Sequence, residues 1–105
     1  MATVGFLHVA AEHMQTARRL VAEHAPGIVD VHLVDEHLLE PTEDALLRLK
    51  ARIGELMGRD IDALVCTCPA LIADAARIAA QAGLAAVGLP ELAARAVPGL
   101  TSGAR

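Results

Sequence analysis

The stretch IDALVCTCPA, residues 61–70, decides the fold class. Ile61–Cys66 has the length and apolar composition of a strand that is buried on both faces of a sheet. Pro69 follows at a position that the first turn of a helix tolerates, and the Ala-rich segment 70–82 continues the helix up to Gly83. A buried strand that turns directly into a helix is typical of an α/β protein with a parallel sheet.

The same alternation of strand and helix repeats on both sides of this stretch. Apolar runs predict further strands over residues 3–9, 28–34 and 84–89, and helical periodicity predicts helices over residues 12–25, 42–59 and 90–97. Pro26-Gly27 ends the first helix, and Thr42 is a good N-cap for the second. The resulting order, β-α-β-α-β-α-β-α, requires parallel strands joined by right-handed crossovers. We therefore predict a single α/β domain over residues 1–97 and a flexible tail over 98–105.

Length, charge and composition restrict the class of protein. A chain of 105 residues can bury one core, and 54% of its residues are hydrophobic although Phe6 is its one aromatic residue. So much apolar surface on a small domain predicts a homodimer. The net charge of −4, without any basic stripe, argues against a nucleic-acid partner.

The sequence also predicts a protein that is neither secreted nor inserted in a membrane. Its amino terminus has no basic region before the first apolar run, and no apolar stretch approaches the roughly 20 residues needed to span a bilayer. Cys66 and Cys68 are separated by one residue, too close in sequence for an unstrained disulfide. A reduced, cytoplasmic protein is therefore expected.

Polar and reactive residues follow three of the predicted strands. They are His8 after the first strand, the segment Asp35–His37 after the second, and the segment Thr67–Ala70 after the third. Ligands of open parallel sheets bind outside the carboxyl ends of the strands. We therefore expect these residues to gather at one edge of the sheet and to form the site.

Cys68 is the most reactive residue that the sequence predicts. At the mouth of a helix its thiol would lie near unsatisfied N–H groups, which favour the thiolate. The alternative is that Cys68 is a small hydrophobic residue at the top of a packed strand. Cys66 lies within the strand and is predicted to belong to the core. Cys68 is accordingly expected to react with iodoacetamide near neutral pH faster than Cys66.

Neither a metal nor a nucleotide cofactor is predicted. The spacing of Cys66, Cys68 and His8 matches no usual zinc pattern. The first strand is followed by His8-Val9-Ala10-Ala11, where a nucleotide-binding protein would carry a glycine-rich loop. Three further histidines are predicted to have ordinary roles: His32 in packing, His13 and His24 on the helix surface.

Three stretches together resemble a known family. They are VGFLH at 4–8, VHLVDEHLL at 31–39 and ALVCTCPAL at 63–71. Together they resemble the amino-terminal lobe of the aspartate/glutamate/hydantoin racemase superfamily. The similarity extends along the chain to about Val97. The resemblance implies a flavodoxin-like, three-layer α/β/α lobe with a four-stranded parallel sheet in the order 2-1-3-4. It further implies cofactor-independent racemase or isomerase chemistry, in which two lobes face each other. One cysteine thiolate then removes an α-proton and a second cysteine returns one.

The resemblance assigns roles to the residues of the expected site. Cys68 matches the cysteine of the first lobe, so Cys68, His8 and Asp35 are the predicted catalytic residues. A small carboxylate substrate is predicted to contact Thr67, Ala70 and Glu36. Two features depart from the family. Pro69-Ala70 stands where the family has Asn-Thr or Ser-Thr. The sequence also covers only one lobe. Inversion of the configuration at a carbon atom needs an acid and a base on opposite faces of that carbon.

Three hypotheses about function follow. Two copies associate and bring two Cys68 thiols to face each other as a racemase or isomerase. Alternatively, one Cys68, assisted by His8 or Asp35, catalyses a decarboxylation or a double-bond isomerisation. In the third hypothesis the chain is a binding or structural module without catalytic activity.

Overall fold

The computed structural model describes residues 2–88, which form an alternating α/β structure. Its elements are β1 (Thr3–His8), α1 (Ala11–His24), β2 (Val29–Val34), α2 (Ala45–Met57), β3 (Ala63–Cys66), a 3₁₀ turn (Pro69–Leu71), α3 (Ile72–Gln81) and β4 (Ala85–Ala86). The predicted helix at 90–97 and the predicted tail at 98–105 lie outside the described residues.

The four strands form one parallel sheet in the order β2-β1-β3-β4. Helix α1 lies on one face, where its buried Ala17 and Val21 contact side chains of β1 and β3, and α2 and α3 lie on the other face. The predicted fold class, strand order and placement of helices on both faces are therefore confirmed, and the arrangement is that of a flavodoxin-like fold.

The core consists of two layers, one on each face of the sheet. The layer under α1 contains Phe6 with a set of smaller residues: Val4, Ala17, Val21, Val65 and Val87. The layer under α2 and α3 is built mainly from Leu, Ile and Ala: Leu7, Leu38, Leu49, Ile53, Leu56, Ile61, Leu64, Ala75 and Ala79. Gly5 of β1 faces the layer under α2 and α3, where an added Cβ would come within 2.7 Å of the Ile61 Cδ1.

Element boundaries differ from the predictions at three places. Helix α2 begins at Ala45, because the Ala45 N–H donates to the Thr42 carbonyl oxygen in a turn and Thr42 does not cap the helix through its side chain. The third helix begins as a 3₁₀ turn and becomes α-helical at Ile72. Strand β4 contains two paired residues, fewer than predicted, since only Ala63 and Leu64 of β3 pair with it.

The end of α3 matches its prediction. Gly83 has a φ of +75°, the Leu84 N–H donates to the Ala79 carbonyl oxygen, and the Gly83 N–H donates to the Ala80 carbonyl oxygen. This double hydrogen bond is a Schellman motif, which requires the left-handed conformation that glycine adopts most easily. Gly83 therefore directs the chain from α3 into β4.

Candidate functional site

The carboxyl edge of the sheet brings together the three segments that were expected to meet there. The Asp35 N–H donates to the His8 carbonyl oxygen at 2.9 Å, and the Thr67 N–H donates to the Leu7 carbonyl oxygen at 3.1 Å. The backbones that follow β1, β2 and β3 are thus adjacent. The side chains on this edge, however, make different contacts from those expected.

Four polar side chains form a continuous hydrogen-bonded chain across three strands. Asp30 Oδ2 lies 2.7 Å from His32 Nε2, His32 Nδ1 lies 2.9 Å from His8 Nε2, and His8 Nδ1 lies 2.7 Å from Thr67 Oγ1. The two imidazole rings are inclined by only 14°, as expected for rings that are hydrogen-bonded edge to edge. We call this set of four side chains the Asp30–Thr67 chain.

Strand register places these four residues on the same face of the sheet. Phe6 pairs with His32 across β1 and β2, and Leu7 pairs with Cys66 across β1 and β3. Because side chains alternate between faces, Asp30 and His32 of β2, His8 of β1 and the position after Cys66 all lie on the α1 face. Phe6 lies beside them, with its ring centroid 4.7 Å from that of His32.

Burial of the Asp30–Thr67 chain increases from its ends to its centre. The side chain of Asp30 is 29% exposed and that of His32 is 8% exposed, whereas His8 is fully buried. Burial, followed by the neighbouring His32 and His13, lowers the pKa of His8 to about 4. His8 is therefore neutral at neutral pH, with one ring nitrogen that donates a hydrogen bond and one that accepts.

The carboxylate determines the direction of these hydrogen bonds when both imidazoles are neutral. A carboxylate oxygen only accepts, so His32 donates to Asp30 from Nε2 and accepts at Nδ1. His8 consequently donates from Nε2 to His32, and its Nδ1 accepts the hydroxyl proton of Thr67, whose other acceptor, the Leu7 carbonyl oxygen, lies at 3.4 Å. Each proton is thus oriented away from the carboxyl edge and towards Asp30.

Asp35, a predicted catalytic residue, is engaged elsewhere. Its Oδ2 accepts a hydrogen bond from Arg52 Nε at 2.8 Å, and its Oδ1 accepts one from the His37 N–H at 2.9 Å. Burial by itself raises the pKa of Asp35, but the hydrogen bonds from Arg52 and His37 and the charge of Arg48 outweigh it, so this pKa lies below its ordinary value. Asp35 therefore anchors α2 to the end of β2, and its catalytic role stays a prediction.

Glu36, a predicted substrate contact, is exposed beside Asp35. It lines a surface depression at the end of β2 whose other charged residues are Asp35, His37, Arg52 and Glu55. The depression carries three carboxylates, one arginine and one histidine, so its negative charges outnumber its positive ones and repel an anion. This depression is therefore poorly suited to a small carboxylate, and the Thr67–Ala70 turn is the better part of the edge.

The surroundings of Cys68 differ in part from the prediction. Cys68 does lie at a strand-to-helix turn, but it precedes the 3₁₀ turn, and α3 begins four residues later. Its side chain is 5% exposed, so the thiol is largely covered within the chain. A 3₁₀ turn therefore separates Cys68 from α3, and the burial of Cys68 agrees with the alternative prediction of a small hydrophobic residue at the top of a packed strand.

Cys66 behaves as predicted for a strand residue beside the core. It packs against the layer under α2 and α3, and its Sγ lies 3.7 Å from the Cys68 carbonyl oxygen. Burial raises the pKa of the Cys66 thiol, which disfavours its thiolate near neutral pH.

Sequence reasoning missed Asp30 and His32. The available signal was their spacing: two polar residues at alternate positions of a strand that is otherwise apolar share one face of the sheet.

His13 was predicted on the helix surface, but its Nδ1 is buried and has no hydrogen-bond partner among residues 2–88.

The described residues contain neither a cluster of metal ligands nor a helix that could span a membrane. Within residues 2–88, no three His, Cys, Asp or Glu side chains are arranged to hold a metal ion. No helix in the same part of the chain is both long and apolar enough to cross a membrane.

Comparisons with known proteins leave the function to be inferred from this geometry. No family model matches the sequence, and no curated protein or solved structure matches it either.

Proposed function

We propose that this chain is a single lobe of the aspartate/glutamate racemase type, which transfers a proton at the α-carbon of a small carboxylate in the cytoplasm without a cofactor. The observation that carries the proposal is the hydrogen bond between Thr67 and His8 at the carboxyl edge. Thr67 immediately precedes Cys68, so this edge offers a hydroxyl coupled to an imidazole and, next to it, a thiol.

These groups are the kinds of side chain that proton transfer requires. A side chain that moves a proton must lie within hydrogen-bonding distance of its partner and must be able to change its protonation state. Cys68 is the group proposed to exchange a proton with the substrate. Ala70 is exposed in the same turn and offers a backbone N–H to a carboxylate, whereas Pro69 has none to offer.

Exposed apolar residues near the same edge favour a dimer that completes the site. Leu39 lies in the loop after β2, Leu46 and Leu47 lie in the first turn of α2, and Ile72 begins α3; each is about half exposed or more. In a parallel α/β sheet these segments all adjoin the carboxyl edge. A second copy of the chain that covers these residues would place two edges face to face, as the resemblance to two-lobed racemases implies.

The burial of Cys68 favours a second candidate function. With 5% of its side chain exposed, Cys68 resembles a small hydrophobic residue at the top of a strand. In this alternative the chain binds a ligand or a partner at the same edge without catalysis. The two functions differ in whether substitution of Cys68 affects a reaction.

Exchange of α-protons in D₂O tests the proposal. L-aspartate, L-glutamate and mandelate are each incubated with the protein, and loss of the α-proton signal is followed by NMR. At least one is expected to exchange, and Cys68→Ser is expected to slow the exchange by about 100-fold or more, since a lost acid–base group costs that much. Cys66→Ser is the matched control and should keep the wild-type rate. Exchange that is absent for all three, or equal in Cys68→Ser, would favour the binding module.

Thiol alkylation gives an independent prediction. Cys68 is expected to react with iodoacetamide near neutral pH faster than Cys66, because the raised pKa of Cys66 lowers the fraction of its reactive thiolate. Peptide masses across a pH series measure each rate, with Cys66→Ser and Cys68→Ser to separate the neighbouring sites. If Cys68 reacts no faster than Cys66, the covered thiol is unreactive and the catalytic proposal loses its support.

A further inference from the structure

We propose that the Asp30–Thr67 chain is a proton relay in which Thr67 acts as the base of the site and passes the substrate proton through His8 and His32 to Asp30 and solvent. This inference rests on the proposed function for its reaction, but the hydrogen-bonded chain itself can be tested without any substrate.

The hydrogen bonds of the Asp30–Thr67 chain are continuous from one end to the other. The chain has three links of 2.7, 2.9 and 2.7 Å, and every heavy-atom separation is within the range of a good hydrogen bond. One end, Asp30, is 29% exposed, and the other, Thr67, is half-buried at the carboxyl edge. The chain therefore connects solvent with the edge where a substrate is proposed to bind.

The hydrogen bonds of the chain share one direction when both imidazoles are neutral. In that case Thr67 donates to His8, His8 donates to His32, and His32 donates to Asp30. The other acceptor within reach of the Thr67 hydroxyl, the Leu7 carbonyl oxygen, lies farther away at 3.4 Å. A hydroxyl that donates to a base, which is itself oriented by a third group, is the arrangement that activates a side-chain oxygen in enzymes. Thr67 is thus prepared to accept a proton at its oxygen while it releases its own.

Each transfer breaks one bond to hydrogen and forms another. The α-proton of the substrate moves to Thr67 Oγ1, and the original hydroxyl proton moves to His8 Nδ1. The Nε2 proton of His8 moves to His32 Nδ1, and the Nε2 proton of His32 moves to Asp30 Oδ2. The net result is a carbanion at the substrate and a protonated Asp30, which loses its proton to water. Cys68 then acts as the acid, since its S–H can return a proton to the carbanion, and its thiolate regains one from solvent. Both imidazoles are left protonated at Nδ1, and they return to their Nε2-protonated tautomers by proton exchange before the next turnover.

The surroundings of His8 agree with a transient role for its charge. His32 of β2 and His13 of α1 both disfavour a proton held on His8, whereas Asp30 faces only His32 within the chain. A proton that enters the relay therefore does not remain on the buried His8 and passes on towards Asp30. The burial of His8 helps the relay because it prevents water from interrupting the central link.

Nitrogen NMR of the histidine rings tests the chain in the absence of substrate. Long-range ¹H–¹⁵N spectra at pH 7 are expected to show His8 and His32 each protonated at Nε2 and unprotonated at Nδ1. In Asp30→Asn the His32 ring is expected to lose this single tautomer, while the exposed His24 serves as an internal reference. A proton on Nδ1 of either ring in the wild-type protein would reverse the chain and overturn the relay.

Substitutions of Thr67 test the relay in the reaction. Thr67→Val has a similar shape without the hydroxyl and is expected to slow α-proton exchange by about 100-fold or more, whereas Thr67→Ser restores the hydroxyl and is expected to remain within about tenfold of wild type. Circular dichroism of each variant confirms its fold. If Thr67→Val exchanges at the wild-type rate, the relay is overturned even though the proposed function stands. If no carboxylate exchanges with the wild-type protein but both tautomers are as predicted, the proposed function fails and the direction of the chain is supported.

Discussion

Urea unfolding is expected to show a free energy of unfolding that falls by on the order of 3 kcal/mol as the pH is lowered from 7 to 4. The cause is His8, whose pKa is lowered from 6.5 to about 4 in the folded protein, mainly by burial. Between these two values the unfolded chain binds a proton that the folded chain does not. Protonation therefore favours the unfolded state, and the stability is complete above about pH 6.5 and is lost as the pH falls towards 4.

Other groups contribute outside this pH range or with the opposite sign. The lowered pKa of Asp35 removes further stability only below the ordinary value of 3.8. The pKa of the exposed His37 is raised by its hydrogen bond to Glu40, so it favours the folded state at low pH, and solvent screens that effect.

Two histidine variants identify the group responsible. His8→Gln is expected to flatten the pH dependence between 6.5 and 4, whatever its effect on stability at pH 7. His24→Gln, at an exposed position, should keep the wild-type slope. If the free energy of unfolding depends on pH equally in the wild-type protein and in His8→Gln, protonation of His8 does not destabilise the folded state and this explanation is wrong.

Phe6→Ala is expected to lower the free energy of unfolding by about 3–5 kcal/mol. Phe6 is fully buried in the layer under α1, where the other core residues are Ala and Val. The larger neighbours His8 and His32 are held by their hydrogen bonds, so the space left by the ring is not readily filled. A loss of this size is a large share of the roughly 5–15 kcal/mol that stabilises a typical domain. Urea unfolding at pH 7 measures the change.

Matched substitutions separate this effect from a general loss of apolar area. Phe6→Leu should cost less than Phe6→Ala because it leaves a smaller cavity. Leu47→Ala, at a position that is 67% exposed, is expected to change the stability by less than about 1 kcal/mol. A cost below about 1 kcal/mol for Phe6→Ala would mean that the core under α1 closes around the missing ring.

The site could be anticipated from the sequence in its location but not in its connections. His8 and Thr67 were expected at the carboxyl edge because each follows a strand in a parallel sheet, and they lie there. The hydrogen bond between them joins residues 59 positions apart, and it depends on which strands are neighbours and in which register. His32 and Asp30 belong to the same hydrogen-bonded chain because β2 is paired with β1 in a register that places them on the face of His8.

The partners of charged and reactive groups also depended on the tertiary structure. Asp35 was predicted to be a site residue because it follows a strand, and the position of α2 brings Arg52 Nε to within 2.8 Å of its carboxylate. The sequence left Cys68 open between a reactive thiol and a packed hydrophobic residue, and only the structure shows that it is 5% exposed.

By itself, the sequence determined the order of elements, the parallel sheet and the end of α3 at Gly83. These features depend on hydrophobic periodicity, on the chirality of crossovers and on the backbone freedom of glycine, which are local or general properties. Only the tertiary structure decided that Asp30, His32, His8 and Thr67 form one chain and that Arg52 binds Asp35. The physical reason is that a hydrogen bond needs two atoms within about 3 Å of each other, a condition that strand register and helix placement satisfy together.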